Sequence, residues 1–512
     1  MTGFSLLLRG GLVADGTGAP LAARDVAVVG RRIALVDRDA AVTADEVVDV
    51  SGLVVAPGFI DAHTHSDTTA LAAAAGELEA EQAFAAVRQG VTVEIAGNCG
   101  SSAFPGDFSG LAALGRAHAA VGRANHLVSL VGHGSLRAAV VGHYARAATE
   151  VELAQMAAAL DEALAAGAVG LSTGLIYTPG AYASTAEVTA LARVAAQHGK
   201  PYVTHLRDEM SGVEGALTEA VAIARDSGAA LHVSHHKTAG KYAWGRTETT
   251  LVTFEELRAS GMDITCDVYP YTAGSTGLAA MLPPWAHDGG PARLLERLRD
   301  PAQRELMRTA ILDGVPGWEN TVGNGGWDRI SVASARRHPQ HQGRTVAEIA
   351  AGFGTDPLDL VAELLVAEDG DVSIISHSMR EDDVRRVLSA PYSMIGSDGV
   401  PKPGLPHPRW AGTFSRVLGH YAREAGLFGL PEAVRKMTGA TAARFGLTGR
   451  GVLRDGAYAD VVVFDPERVA DRATFADPLA GPEGVRLVVV GGTVVVRDEE
   501  VLAARPGRVL SQ

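Results

Sequence analysis

The sequence is short of cysteine, of positive charge and of long apolar runs. Its 512 residues include two cysteines, Cys99 and Cys266. Two cysteines cannot build a disulfide scaffold, and a single bridge is not expected in a chain of intracellular texture. Acidic residues outnumber basic ones, 59 Asp+Glu against 45 Lys+Arg, for a net charge of −14. With no basic block, that balance excludes a general binder of nucleic acid or anionic membrane. No uninterrupted apolar stretch reaches the ~18 residues that a membrane helix needs. The start, Met1–Gly11, has one short apolar run, Phe4–Leu8, and no small-residue cleavage signal. It reads as a strand, not a signal peptide, so the expected location is cytoplasmic. There is no solenoid repeat and no low-complexity tract beyond an alanine bias.

What is present suffices for a folded protein. Hydrophobic residues make up 47% and charged residues 20%, which excludes disorder as the main state. The length fits two or three domains, or one large barrel with an annex. Residues 1–56 and 446–512 share one texture, β-branched runs broken by Gly and Asp, as in "ARDVAVVGRRIALVD" and "VRLVVVGGTVVVRDEE". They are expected to form one small β domain from both ends of the chain.

The middle, 57–445, alternates strand-like runs with Ala-rich helical stretches at 150–166, 185–198 and 213–227. That rhythm predicts repeated βα units around a parallel sheet. Nine candidate strands stand out, at 53–62, 92–98, 127–132, 168–175, 201–205, 230–235, 263–268, 372–376 and 393–397. An eightfold barrel needs one fewer, and 372–376 is the suspect. The stretch 278–345 breaks the rhythm with "MLPPWAHDGGPAR" and "GVPGWENTVGNGGWDR". Such an insertion is either a lid over the site or a tolerated surface excursion.

The strongest chemical signal is "PGFIDAHTHSD", residues 57–67. An apolar strand runs into His63-Thr64-His65, and positions i and i+2 of a strand face the same side. Both imidazoles would then face one cavity at the strand's C-terminal end, where parallel barrels carry their active sites. Paired imidazoles suit a zinc ion; the alternative is two polar loop residues. Other strand-like runs also end in ligand types: Cys99, His205, His235 with His236, and Asp398. A thiolate with two imidazoles is a recognised zinc set. A lone cysteine is often a small core residue, but Cys99 sits in a Gly-Asn-Cys-Gly turn that exposes it. Cys266 lies inside an apolar strand and reads as core. His236 faces away if His235 faces in. Asp398, in Gly-Ser-Asp-Gly, is either a turn residue or the carboxylate that moves protons for an activated water.

Together these residues resemble the amidohydrolase superfamily and, within it, the N-acyl-D-amino-acid deacylase (D-aminoacylase) family. The resemblance rests on 57–67, 97–100, "GHGSLR" at 132–137, "GLSTGLIYTPG" at 170–180, "THLRDE" at 204–209, "SHHK" at 234–237, "DVYPYTAGST" at 267–276, "GSDG" at 396–399 and "ATAARFGLTGRGVLRDGAYADVVVFDP" at 440–466. It covers nearly the whole chain and is least clear over 278–345. The resemblance implies an α/β fold, a (β/α)8 TIM-like barrel with a small β-sandwich domain from both termini. It implies one tight zinc on Cys99, His205 and His235, and a second, weak or partly filled position on His63 and His65. Asp398 would be the general acid/base. Hydantoinase-like relatives bridge two metals with a carboxylated lysine, but the fourth strand here, "GAVGLSTGLIY", has no lysine. The Cys99 thiolate is the expected substitute.

The same resemblance places Lys237, Tyr269, Ser275 and Arg409 around the substrate carboxylate, a role that a guanidinium fork and hydroxyls suit. Arg409, eleven residues after Asp398, would come from a loop above the barrel; the alternative is a solvated surface arginine. Tyr177 either touches the scissile carbonyl or is an ordinary rim residue. His133 and His377 read as packing or outer support. The implied activity is zinc-dependent hydrolysis of N-acyl-D-amino acids to a D-amino acid and a carboxylate. The partner is a small-molecule substrate, with no nucleic acid and no membrane; the sequence assigns no oligomeric state. No Lys or Arg lies between Arg258 and Arg293, where Leu278, Met281 and Leu282 supply apolar surface instead. That predicts a preference for hydrophobic D-amino acids, unless a cation such as Arg246 or Arg293 reaches the pocket. The rival readings are a D-dipeptidase or cyclic-amide hydrolase on the same scaffold, and a non-catalytic family member, which should have lost some of His63, His65, Cys99, His205, His235 and Asp398.

Overall fold

The structure, a computed structural model, describes residues 3–38 and 40–512. Eight strands make the ring that carries the site: β1 Phe59–Asp61, β2 Val91–Ala96, β3 His126–Ser129, β4 Leu171–Gly174, β5 Tyr202–His205, β6 Leu231–Val233, β7 Ile264–Val268 and β8 Ser393–Ile395. Val131–Gly132 continues β3 and pairs with β4. The pairings along the ring are parallel. Ala62 N donates to Ile395 O (3.2 Å) and Asp398 N to His63 O (2.8 Å), joining the first strand to the last.

The side-chain alternation of a strand then decides what goes where. Ile60, Val93, Ile95, Val128, Val203 and Met394 form one cluster with Phe445 and Leu447 and fill the ring. Their neighbours Phe59, Leu127, Leu171, Leu231 and Ile264 face the surrounding helices. The helix Glu150–Ala165 begins with a capping box, Thr149 and Glu152 satisfying each other's backbone amides.

The run 53–62 is two strands, not one. Val54–Pro57 pairs with Val461–Phe464 in the small domain, and β1 starts the barrel. Gly58 is the crossing point, where an added Cβ would lie 2.2 Å from Thr92 Cγ2. The small domain stacks a four-stranded sheet (Arg32–Val36, Asp25–Val29, Phe4–Arg9, Ala44–Asp49) on a seven-stranded one that includes Val485–Val490 and Thr493–Arg497. Leu6, Leu8, Val26, Val55, Val461 and Val489 share the core between them. Met1 and Thr2 of the expected first strand lie outside the described residues.

The run 372–376 is the surplus strand. Ser373–Ser376 is the centre of a separate antiparallel sheet, flanked by Gly274–Gly277 and Ile330–Ser334. The stretch 278–345 is not irregular throughout. It holds the helices Pro291–Arg299 and Pro301–Asp313. Its core, from Leu278 to Ile374, is distinct from the barrel's and draws in Ile349, Val361 and Leu365 from beyond 345. The packed unit is therefore wider than the Pro- and Gly-rich segment that marks it in the sequence.

The last residues leave the small domain. Leu127 N donates to Arg508 O (2.9 Å) and Leu510 N to Leu127 O (2.7 Å), so the tail pairs with β3 where β4 does not reach. No described helix is long and apolar enough to cross a membrane.

Candidate active site

Strand ends bring the predicted ligands to one point. His63 and His65 follow β1, Cys99 follows β2, His205 closes β5, His235 follows β6 and Asp398 follows β8. Cys99 Sγ lies 3.3 Å from His63 Nε2, 3.4 Å from His235 Nε2 and 3.8 Å from His205 Nδ1. Asp398 Oδ1 lies 3.2 Å from His65 Nε2 and 3.5 Å from His63 Nε2. Among the described residues, four three-residue groups have ligand atoms within 4.8 Å of one another: Cys99 with His205 and His235, Cys99 with His63 and His65, Asp398 with His63 and His235, and Glu209 with His205 and Glu319. Cys99 belongs to the first two. A thiolate ringed by imidazoles is a donor set that fits zinc.

Three of these residues hold a left-handed backbone: Cys99 (φ 51°), His235 (φ 33°) and Asp398 (φ 49°). Non-glycine residues rarely adopt it, and such strain gathers at sites whose surroundings over-determine it. Here the surroundings are explicit. His235 N donates to Asp267 Oδ1 (2.9 Å), and Asp61 Oδ1 accepts from Ser397 N (2.8 Å) and His63 N (3.2 Å).

Asp61 and Asp267 were not legible as site residues, nor were Glu209 and Glu319. Asp267 also holds His232 Nε2 (2.9 Å) and His63 Nδ1 (3.3 Å). Glu209 meets His235 Nδ1 (3.1 Å), Lys237 Nζ (2.6 Å) and His205 Nε2 (3.5 Å). Glu319, from the insertion, accepts from Glu209 N at 2.6 Å. Glu209 and Asp267 lie inside "THLRDE" and "DVYPYTAGST"; Glu209 has one local signal, its place four residues past His205, and Asp267 has none of that kind. Glu319 has no such signal, because only the packing of the insertion brings it in.

The electrostatics of the cluster favour anionic donors. Burial works against ionising Cys99, but His63, His235 and His205 hold its thiol well below the ordinary value. Burial likewise opposes the Asp398 carboxylate, and Arg409, His63 and His65 hold it well below the usual range. His235 loses charge to burial and Lys237, yet Glu209 and Cys99 push it up to about 9. Burial pushes Glu319 up to about 8, with the Glu209 charge adding to it.

On the far side of His235 stand the residues expected to bind a carboxylate. Arg409 Nη1 is 2.8 Å from Asp398 Oδ2, and its Nη2 donates to the Ser275 carbonyl (3.2 Å). The guanidinium lies 4.6 Å over the Tyr269 ring, and Lys237 lies 5.7 Å from that ring's centre. Arg409 opens the helix Arg409–Arg416 and is 1% exposed. It is therefore neither on a loop nor a solvated surface residue. Tyr177 accepts from Thr276 Oγ1 at 3.2 Å. A cavity of about 620 Å³ is lined by Cys99, His205, His235, Asp398, Lys237 and Tyr177, with Met281 and Trp318 of the insertion on its wall.

The other singled-out residues lie outside the cluster. His133 bonds Glu187 (2.9 Å), His377 meets Ser331 (3.3 Å), and His236 turns outward to Thr250 (2.8 Å). Cys266 is fully buried in the core. Arg246 pairs with Glu214, Arg293 pairs with Glu296, and neither lines the cavity.

Residues 46–496 match the model of the amidohydrolase family. D-aminoacylase of Alcaligenes xylosoxydans xylosoxydans is 39% identical over 99% of this chain and 98% of its own. N-acyl-D-glutamate deacylase of the same organism is 36% identical over 99% of this chain and 96% of its own. A crystal structure of N-acyl-D-glutamate deacylase from Bordetella bronchiseptica, complexed with zinc and a phosphonate mimic of the tetrahedral intermediate, superposes with a TM-score of 0.84. It is 37% identical and covers all of both chains. The chain belongs to the amidohydrolase family, in the branch of the D-aminoacylases and N-acyl-D-amino-acid deacylases.

Proposed function

We propose that this chain is a zinc-dependent N-acyl-D-amino-acid deacylase that prefers hydrophobic side chains. The observation that carries the reading is the shared cavity. Cys99, His205, His235, Asp398 and Lys237 line it together, and Arg409 stands behind Asp398, 2.8 Å from its Oδ2. The likeness to D-aminoacylase supports the D configuration.

Cys99, His205 and His235 hold the metal, and His63 and His65 offer a weaker position sharing Cys99. A bound zinc polarises the amide carbonyl and lowers the pKa of a water toward about 7. Asp398 is ionised and in reach of the cluster, so it takes the proton of the attacking water. Arg409, Lys237 and Tyr269 hold the substrate carboxylate and so fix the amide over the cluster. As the C–N bond breaks, Asp398 returns its proton to the leaving nitrogen. The products are a free D-amino acid and a carboxylate. The absence of a lysine on β4 argues against a lysine-bridged pair of metals and cyclic-amide chemistry.

The side-chain preference follows from charge. Of the two lysines that line the cavity, Lys237 is taken by the first carboxylate and Lys402 pairs with Asp371 (2.8 Å). A second substrate carboxylate meets no unengaged lysine there. The test is hydrolysis of N-acetyl-D-leucine, N-acetyl-L-leucine and N-acetyl-D-glutamate by protein of measured zinc content. Turnover of the D-leucine compound ahead of the others is expected. Zinc-loaded protein that cleaves none of them overturns the reading.

A further inference from the structure

A side chamber of about 200 Å³ adjoins the cavity and shares Ile176, Tyr177, Thr178, Thr276, Gly277 and Ala280 with it. Beyond them it is lined by Leu282, Pro284 and His287. We infer that this chamber, walled by the loop after β4 and the first turns of the insertion, receives the acyl chain of the substrate and selects acyl groups longer than acetyl. The inference rests on the deacylase reading above.

Three observations carry it. First, the chamber is uncharged. Its lining has no Lys, Arg, Asp or Glu, and burial lowers His287 to about 4, so that imidazole is neutral. None of Lys237, Tyr269, Ser275 and Arg409 lines it. It accepts an apolar group and rejects a carboxylate.

Second, the groups stand in series. The Tyr177 ring is 5.2 Å from that of His205, His205 is 4.5 Å from His235, and His235 is 6.5 Å from Tyr269. Arg409 covers Tyr269. An N-acyl amino acid has the same order: acyl chain, carbonyl carbon, nitrogen, α-carbon, carboxylate. With the carboxylate on Arg409 and the carbonyl over the histidines, the group bonded to the carbonyl carbon points toward Tyr177. The amino-acid side chain branches nearer to Tyr269.

Third, hydrogen bonds tie the walls of the chamber together. Thr276 bonds Tyr177 at 3.2 Å, and Tyr182 bonds the Pro284 carbonyl at 2.7 Å. These contacts join the segment after β4 to the strand Gly274–Gly277 and to the insertion. A chain that threads past Tyr177 exchanges water for Ile176, Ala280 and Leu282. Each buried methylene is then worth about fourfold in kcat/KM, from ~0.8 kcal/mol.

The experiment measures kcat/KM for acetyl-, butanoyl-, hexanoyl- and octanoyl-D-leucine, and for N-acetyl-D-alanine, -leucine and -phenylalanine. The proteins are zinc-loaded wild type, Ala280→Trp and Leu282→Ala. Wild type is expected to gain about fifteenfold per added pair of carbons until the chamber is full. Ala280→Trp should flatten that series, lowering the hexanoyl-to-acetyl ratio at least tenfold. Leu282→Ala should move the optimum to a longer chain, and it keeps the test alive if the tryptophan variant does not fold. A flat acyl series in wild type overturns the inference. So does an Ala280→Trp variant whose acyl series is intact while its alanine, leucine and phenylalanine ratios change, because the chamber would then hold the side chain. No turnover of any N-acyl-D-amino acid by zinc-loaded wild type removes the parent reading as well. Turnover with a flat series removes only this one.

Discussion

Asp398 joins two halves of the site: one carboxylate oxygen faces His65 and His63, the other Arg409. Asp398→Asn keeps the size and tolerates the left-handed backbone, so zinc should stay bound while kcat falls at least about a hundredfold, the low end for a lost general acid/base. Near-normal turnover would remove Asp398 from the mechanism. Cys99 is common to the two proposed metal positions, with His205 and His235 and with His63 and His65, so Cys99→Ser should cost metal at both. Zinc counted after dialysis checks this, and full retention would count against a thiolate ligand. A pH dependence follows from His235, whose imidazole ionises at about 9 without metal. Below that value the proton must leave before zinc binds. Affinity should therefore rise with pH between about 6 and 9, by up to tenfold per unit for that proton. Competition against a chelator at fixed free zinc reads the slope. These ligands were legible because each follows an apolar run of strand type. Glu209 and Asp267 were not, because their role lies in what their oxygens touch across β5, β6 and β7.

At the scale of elements, the proposed selectivity rests on the helix Arg409–Arg416 and on the turn before Ser373–Ser376. Arg409→Lys keeps a cation near Asp398 but loses the two-pronged fork. It should raise KM for N-acyl amino acids more than tenfold and change amides that lack the carboxylate much less. Equal losses on both would mean that the arginine serves Asp398 rather than the substrate. Asp371→Asn leaves Lys402 without its partner beside the cavity. The ratio of kcat/KM for N-acetyl-D-glutamate over N-acetyl-D-leucine should rise, and adding Lys402→Ala should return it. The barrel strands and helices were readable from periodicity. The insertion was not, since Ser373–Ser376 reads like a barrel strand and only its antiparallel partners distinguish it.

For the whole molecule, the sandwich, barrel and insertion each have a core, and short links carry the chain between them. The C-terminal tail ties two of them. Residues 508–510 pair with β3 and cover backbone groups that β4 leaves free, and Gly507 pairs with Arg123 just before it. Removing residues 505–512 should lower Tm by several degrees, since unpaired strand backbone next to an apolar core is costly. Arg508 and Leu510 bond Leu127, at the opposite end of β3 from the site, so kcat should hold. A truncation that leaves Tm unchanged would show that water serves those groups as well.

The sequence by itself determined the chemistry types and their order. Two histidines one strand-step apart, a cysteine in a glycine turn and an aspartate after the final strand-like run are local patterns, and local patterns survive without coordinates. It also determined the β texture of both ends, because alternation and glycine turns are short-range features. Tertiary structure decided the rest. It made Cys99 the residue common to both histidine groups, brought Glu319 from the insertion to the back of Glu209, and engaged Lys237 and Lys402 with anions. Those outcomes depend on contacts between residues tens to hundreds of positions apart. Ring closure and the packing of the insertion fix them, and no window of sequence contains them.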